Sequence, residues 1–137
     1  MLSPTASTIR LFIHVLAATI WVGGQFALAG VVPVLRRQAP DSTKAVARAF
    51  ARLAWPAFAV LVATGGWSLA AVDVANTSTA YQVTVFVKVC VAITAATAVG
   101  VHSISKSKAG LAIGGAVGAL ASVAALFLGI LLHTGTS

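Results

Sequence analysis

Phe12 to Gly24 reads FIHVLAATIWVGG, and the fold class turns on whether this stretch is part of a soluble core or of a membrane span. It lies inside an apolar run that begins at Leu11 and continues to Leu35 without a carboxylate. A hydrocarbon layer roughly 30 Å thick is crossed by about 20 helical residues, each rising about 1.5 Å. The run is long enough to span. The apolar core of a secretory signal covers only about 7–15 residues, so the small-residue triplet Ala27-Leu28-Ala29 does not mark a cleavage site here, and the run is the first helix. What a plain span does not account for is the imidazole of His14 and, further along, the amide of Gln25.

Outward from this segment the rest of the chain repeats the pattern. Apolar stretches cover residues 8–35, 45–72, 80–104 and 109–133, so that residues 1–137 make a single membrane domain. Of the 137 residues 59% are hydrophobic and 8% charged, and the mean hydropathy is +1.00. Soluble domains carry about a quarter of their residues as charges, so composition excludes that class. Pro40-Asp41-Ser42-Thr43, Asn76-Thr77-Ser78-Thr79 and the polar stretch 103–108 separate the runs, with Asp41 or Ser42 placed to cap the second helix. Connections this short make neighbouring helices antiparallel. The expected fold is all-α, a four-helix transmembrane bundle of up-down-up-down topology.

A net charge of +7 would suggest nucleic acid as partner of a soluble protein, but the positions of the charges assign them to the membrane surface. Arg36, Arg37, Lys44, Arg48 and Arg52 surround the first connection and Lys106 and Lys108 occupy the third, whereas Asp73 is the charge of the second. The positive-inside rule places the first and third connections in the cytoplasm and both termini on the outer side. The lipid bilayer, with its anionic headgroups, is then the partner, and no nucleic acid is required. Lys44, Arg48 and Arg52 recur every four residues, as in a surface-lying first stretch of helix 2 whose side chains snorkel toward headgroups. Pro56, inside the span, removes a backbone bond and predicts a kink.

Residues three and four apart share a helix face. The first span gathers Arg10, His14, Ala18, Trp21 and Gln25 on one side; the third gathers Tyr81, Thr84, Lys88, Ala95 and His102. A charge facing lipid at mid-span costs roughly 2.5–3.5 kcal/mol, so both stripes are expected to face inward. His14 then belongs to the outer half, Lys88 lies about 13 Å down, and His133 returns to the outer surface at the end of the fourth span. His102 lies roughly 21 Å along the axis from Lys88, too far to share a ligand. Each of these residues has a plainer role as an alternative. His14 either donates to a carbonyl on a neighbouring helix or acts as a ligand; His133 is a ligand or simply solvated; Trp21 and Trp67 are site walls or packing and interface anchors. Arg10 serves the outer headgroup layer, and His102 the opposite interface.

Glycines 110, 114 and 118 recur every four residues along the fourth span, a pattern that lets helix backbones approach closely where lipid supplies no hydrophobic driving force. They pack within the bundle or form a seam for a second copy or a larger complex. The lone Cys90 sits among valines as a small apolar residue. Both acids of the chain, Asp41 and Asp73, fall in connections. Paired-carboxylate catalysis, Ser/His/Asp arrangements and carboxylate proton relays therefore lack a necessary group, and no glycine-rich phosphate loop is present. Imidazole ligation remains; neutral histidine suits copper, zinc and haem iron, and helical bundles house such sites between their helices.

His14 followed by Trp21 and Gly24, the segment Phe50-Ala51-Arg52-Leu53-Ala54-Trp55-Pro56 leading to Ala63-Thr64-Gly65-Gly66-Trp67, and Tyr81 with Lys88 together resemble the membrane domain of the copper resistance protein D (CopD) family. The His-to-Trp spacing and the lysine of the third span are also similar to the four-helix bacterial protoporphyrinogen oxidases, in which such a histidine is implicated in haem b binding. The first resemblance implies copper handling at the outer face of a bacterial cytoplasmic membrane. On that expectation His14 is the first metal ligand and His133 the second. Lys88 gates by charge, and Trp21, Gln25, Arg10 and Tyr81 line the path. The second resemblance implies a haem b protein of electron transfer or porphyrin oxidation, with His14 as axial ligand. A non-catalytic subunit, packed through the glycine face into a larger complex or a homo-oligomer, is the third expectation.

Overall fold

The computed structural model describes residues 3–135; the outermost residues of the expected 1–137 domain lie outside the described residues. Helix and connecting turns make up the whole of the described chain, with no strand among the described residues. Four helical runs, Ala6–Gln38, Pro40–Ala71, Thr79–Ile104 and Lys108–Thr134, are long and apolar enough to cross a membrane, which makes this a multi-pass membrane protein. Their bounds lie within a few residues of the expected 8–35, 45–72, 80–104 and 109–133. The chain divides into two compact units, Met1–Val72 and Asp73–Ser137.

The first unit begins with α1 (Ala6–Ala18), whose N-terminus is closed by a reciprocal pair: Thr8 N–H donates to the Thr5 hydroxyl and Thr5 N–H to the Thr8 hydroxyl, each at 3.2 Å. The span does not continue as a regular α-helix. Thr19–Gly23 form a π turn before α2 (Gly24–Gln38) completes the crossing. A π turn holds one extra residue, which breaks the 3.6-residue register and displaces some carbonyls from their usual donors. Side chains make up part of the difference. Gln25 Nε2 donates to the Trp21 carbonyl at 3.1 Å and the Thr19 hydroxyl to the Leu16 carbonyl at 2.7 Å. Pro40–Ser42 turn the chain, and α3 (Thr43–Ala71) runs back through Pro56 as one helix. Neither expected cap forms a bond: Ser42 holds the N-cap position without a side-chain hydrogen bond, because the 3-10 turn puts its backbone in the helical region rather than the extended conformation that a capping side chain needs.

The second unit is a hairpin of α4 (Thr79–Ile104) and α5 (Lys108–Thr134). Each helix starts at a serine cap, Ser78 accepting from Tyr81 N–H at 3.3 Å and Ser107 from Gly110 N–H at 3.0 Å. The glycines of α5 face α4. A Cβ at Gly114 would lie 2.9 Å from the Ala98 carbonyl oxygen and 3.0 Å from the His102 nitrogen, and one at Gly118 would lie 2.7 Å from a Val99 methyl. Gly110 packs on Ser105. Backbone therefore meets backbone along this face, and the contact is gained from the absence of side chains.

Small residues are inside and large ones outside. Ala17, Ala18, Ala54, Ala57, Thr64, Ala95, Gly114, Gly118 and Ser122 are buried, and Trp21 is the one large side chain among the buried residues described. Phe12, Phe86 and Leu120 are 64%, 69% and 72% exposed. In water this arrangement would be unstable; against acyl chains large apolar groups lose nothing by facing outward, and close packing of small residues is what holds the helices together.

Candidate functional site

The site is built on the face where α1 meets α3. Sequence numbers fall on α3 as they rise on α1, so the two helices run antiparallel and their facing residues form successive rungs. The outermost rung is Arg10, whose guanidinium carbon lies 5.7 Å from the centre of the Trp67 ring, a cation–π contact. One turn deeper, His14 Nδ1 lies 2.7 Å from the hydroxyl oxygen of Thr64. Deeper still, Trp21 packs edge-on against Trp55 with ring centres 5.6 Å apart and against Phe58 at 4.7 Å. Beyond it, Gly24 lies so close to the Phe50 ring that a Cβ there would overlap it. The Trp21 cluster and the Gly24 contact fix α1 and α2 on α3 and so hold the two polar rungs in register.

The middle rung determines which nitrogen of His14 carries a proton. The Thr64 hydroxyl has a single hydrogen, and its oxygen lies 2.6 Å from the Val60 carbonyl and 3.3 Å from that of Leu61. Carbonyls only accept, so the hydrogen is directed back along α3 and the Thr64 oxygen accepts from His14 Nδ1–H. The in-plane lone pair of the ring is then on Nε2. Thr64 is buried, 6% exposed, so water competes little for this bond. A Cβ added to Gly65 would sit 3.8 Å from His14 Cε1, at ordinary van der Waals contact with the ring.

The expected site residues divide between the two units. Arg10, His14, Trp21 and Gln25 belong to the first unit; Tyr81, Lys88 and His133 belong to the second. Trp21 is 3% exposed and Gln25 bonds to its own helix, so these two support the geometry of the span from within. Lys88 passes over the backbone of α5 at Gly129, where a Cβ would come within 3.0 Å of its Nζ. His102 Nδ1 lies 2.6 Å from the Leu111 carbonyl and its ring rests on Gly115, so it ties the end of α4 to the start of α5. Tyr81 is half-buried in the first turn of α4, and His133 is exposed in the last turn of α5. No group of three or more His, Cys, Asp or Glu able to hold a metal ion occurs among the described residues.

Sequence reasoning did not single out Thr64 as the partner of His14. A hydroxyl inside an apolar helix, at seven-residue spacing from the small Ala57 and ahead of the Gly65-Gly66 pair, was the available signal. Compared with models of known protein families, with curated proteins and with solved structures, the chain has no match.

Proposed function

We propose that this is a haem b protein of the bacterial cytoplasmic membrane, with His14 Nε2 as axial ligand, acting in electron transfer or porphyrin oxidation. The observation that carries it is the Thr64 hydroxyl, which donates to the Val60 carbonyl and so accepts from His14 Nδ1–H, the tautomer with its ring lone pair on Nε2. Ligating histidines characteristically donate their second ring N–H to such a partner, which fixes tautomer and ring orientation. Haem iron can be held by a single imidazole from the protein. Arg10, one turn outward and steadied by the Trp67 ring, supplies a cation suited to the carboxylates of a porphyrin. When bound, haem supplies one-electron chemistry at its iron; the chain's own residues bind it, orient the ligand and exclude water with the small-residue face of α3.

In this proposal the basic first and third connections face the cytoplasm and both termini lie outside, so His14 opens to the outer half of the membrane. Purification of the full chain with its native cofactor followed by an absorption spectrum is the test. A Soret band that disappears in His14→Ala supports haem. Copper without a Soret band, lost in the same variant, would instead support a copper carrier of the CopD kind, with His133 as second ligand and Lys88 as its charge gate. Neither metal, together with co-purifying chains, would make the protein a non-catalytic subunit.

A further inference from the structure

The first unit also carries a groove unrelated to the polar rungs. Ile13, Leu16 and Ile20 of the first span and Leu53, Pro56 and Val60 of α3 form its walls, with the small Ala17 and Ala57 as its floor; its volume is about 300 Å³. No polar side chain lines it. Immediately beyond Leu53 the character of α3 changes: Arg52, Arg48 and Lys44 follow at four-residue intervals, all exposed, and Arg36 and Arg37 at the end of α2 are exposed beside the same turn. Asp41 is the acid of this region.

Helix length puts the change at the membrane boundary. α3 has 29 residues, about 43 Å of helix, against the roughly 30 Å needed to cross the hydrocarbon. Measured back from Ala71, about 20 residues cross the hydrocarbon, which brings Arg52 to the headgroup layer and Leu53 to the first turn within the acyl region. Like charges four residues apart repel one another and weaken their own helix, so Lys44, Arg48 and Arg52 favour a counter-charge, and Asp41 supplies one carboxylate against the five cations of this region. Arg52 precedes Pro56, a wall of the groove, by one helical turn, so a cation stands at the headgroup end of this apolar concavity.

We infer that this face is a binding site for one anionic phospholipid, its phosphate held by Arg52 and Arg48 and an acyl chain laid in the groove over Ala17 and Ala57. Phosphate is a suitable partner for guanidinium, which meets its oxygens in pairs. The site stands apart from the metal chemistry of His14.

Native mass spectrometry of the detergent-solubilised full chain, titrated with dioleoyl phosphatidylglycerol and separately with dioleoyl phosphatidylcholine, tests the site. The acyl chains are identical, so a difference reports the headgroup. One phosphatidylglycerol is expected to be retained more than tenfold better than phosphatidylcholine, with roughly a fivefold loss for each cation removed in Arg48→Gln and Arg52→Gln. Dihexanoyl phosphatidylglycerol, too short to fill the groove, is expected to bind more weakly than the dioleoyl lipid, and Ala57→Phe, which fills the floor, to reduce dioleoyl binding toward the short-chain level. Equal retention of the two dioleoyl lipids by the unaltered chain overturns the proposal without recourse to any variant. So does a preference that survives the double variant Arg48→Gln/Arg52→Gln.

Discussion

At the scale of single residues, the proposed ligand role of His14 rests on one oxygen. Thr64 does two things with it, donating to the Val60 carbonyl and accepting from His14, and a methyl in its place does neither. Thr64→Val keeps shape and volume, so the packing of α3 on α1 is retained while Nδ1–H loses its acceptor. Metal affinity is expected to fall about 10–100-fold, the usual effect of removing the group behind a ligating histidine, with helix content by circular dichroism unchanged. Thr64→Ser restores the hydroxyl and is expected to recover most of the affinity, which a purely packing role for Thr64 would not predict. His14 itself was legible in the sequence, because an imidazole in an apolar run is conspicuous. Its partner was not, since Thr64 is 50 positions away in the chain and a helical threonine that bonds to its own backbone looks the same in a sequence whether or not a second residue uses its oxygen. Lys88 shows the same limit from the other side: its place in the third span was readable, but the room it has over Gly129 depends on the register of α5 against α4.

At the scale of elements, the four spans and their turns follow from apolar length and polar punctuation, and they were readable to within a few residues. The π turn at Thr19–Gly23 was not. Face assignments made at 3.6 residues per turn drift by about 100° beyond one added residue, so the stripe from Arg10 to Trp21 survives better than its extension to Gln25. Gln25→Leu removes the donor to the Trp21 carbonyl and is expected to cost about 0.5–1.5 kcal/mol, measured by reversible unfolding in mixed micelles. The glycines allow a sharper comparison. A Cβ at Gly114 meets α4 backbone, which cannot turn aside; Gly114→Ala is expected to destabilise the α4–α5 hairpin by about 1–3 kcal/mol. Nothing lies within 4 Å of a Cβ at Gly100, so Gly100→Ala should stabilise α4 by up to about 1 kcal/mol through helix propensity alone. The same substitution in the same hairpin is thus expected to change sign according to what faces it. A gain of similar size at both positions would show that propensity, rather than the close approach of backbones, governs this unit.

At the scale of the whole molecule, orientation in the membrane decides which compartment His14, as the proposed ligand of α1, would serve. Five cations flank the Pro40–Ser42 turn and two flank the break between α4 and α5, whereas Asp73 accompanies the break between α3 and α4. Short loops are oriented by lysine and arginine within about 15–20 residues of a span, and here two separate loops favour the same side. Single cysteines report this directly. In a Cys90→Ala background, Asp41→Cys removes no positive charge and Ala75→Cys removes none either, and both positions are exposed in turns. A membrane-impermeant maleimide applied to intact cells is expected to label Ala75→Cys and to reach Asp41→Cys only after permeabilisation. Because α1 enters from the terminus opposite the basic turn, that pattern puts the His14–Thr64 rung nearer the outer face, where a porphyrin or metal arriving from outside meets Arg10 first. The reverse pattern would place His14 in the inner half and Arg10 at the cytoplasmic surface. The ligand geometry of His14 and Thr64 would be unchanged in that case, but it would serve a reaction supplied from the cytoplasm, and an entry path from the exterior would have to be abandoned.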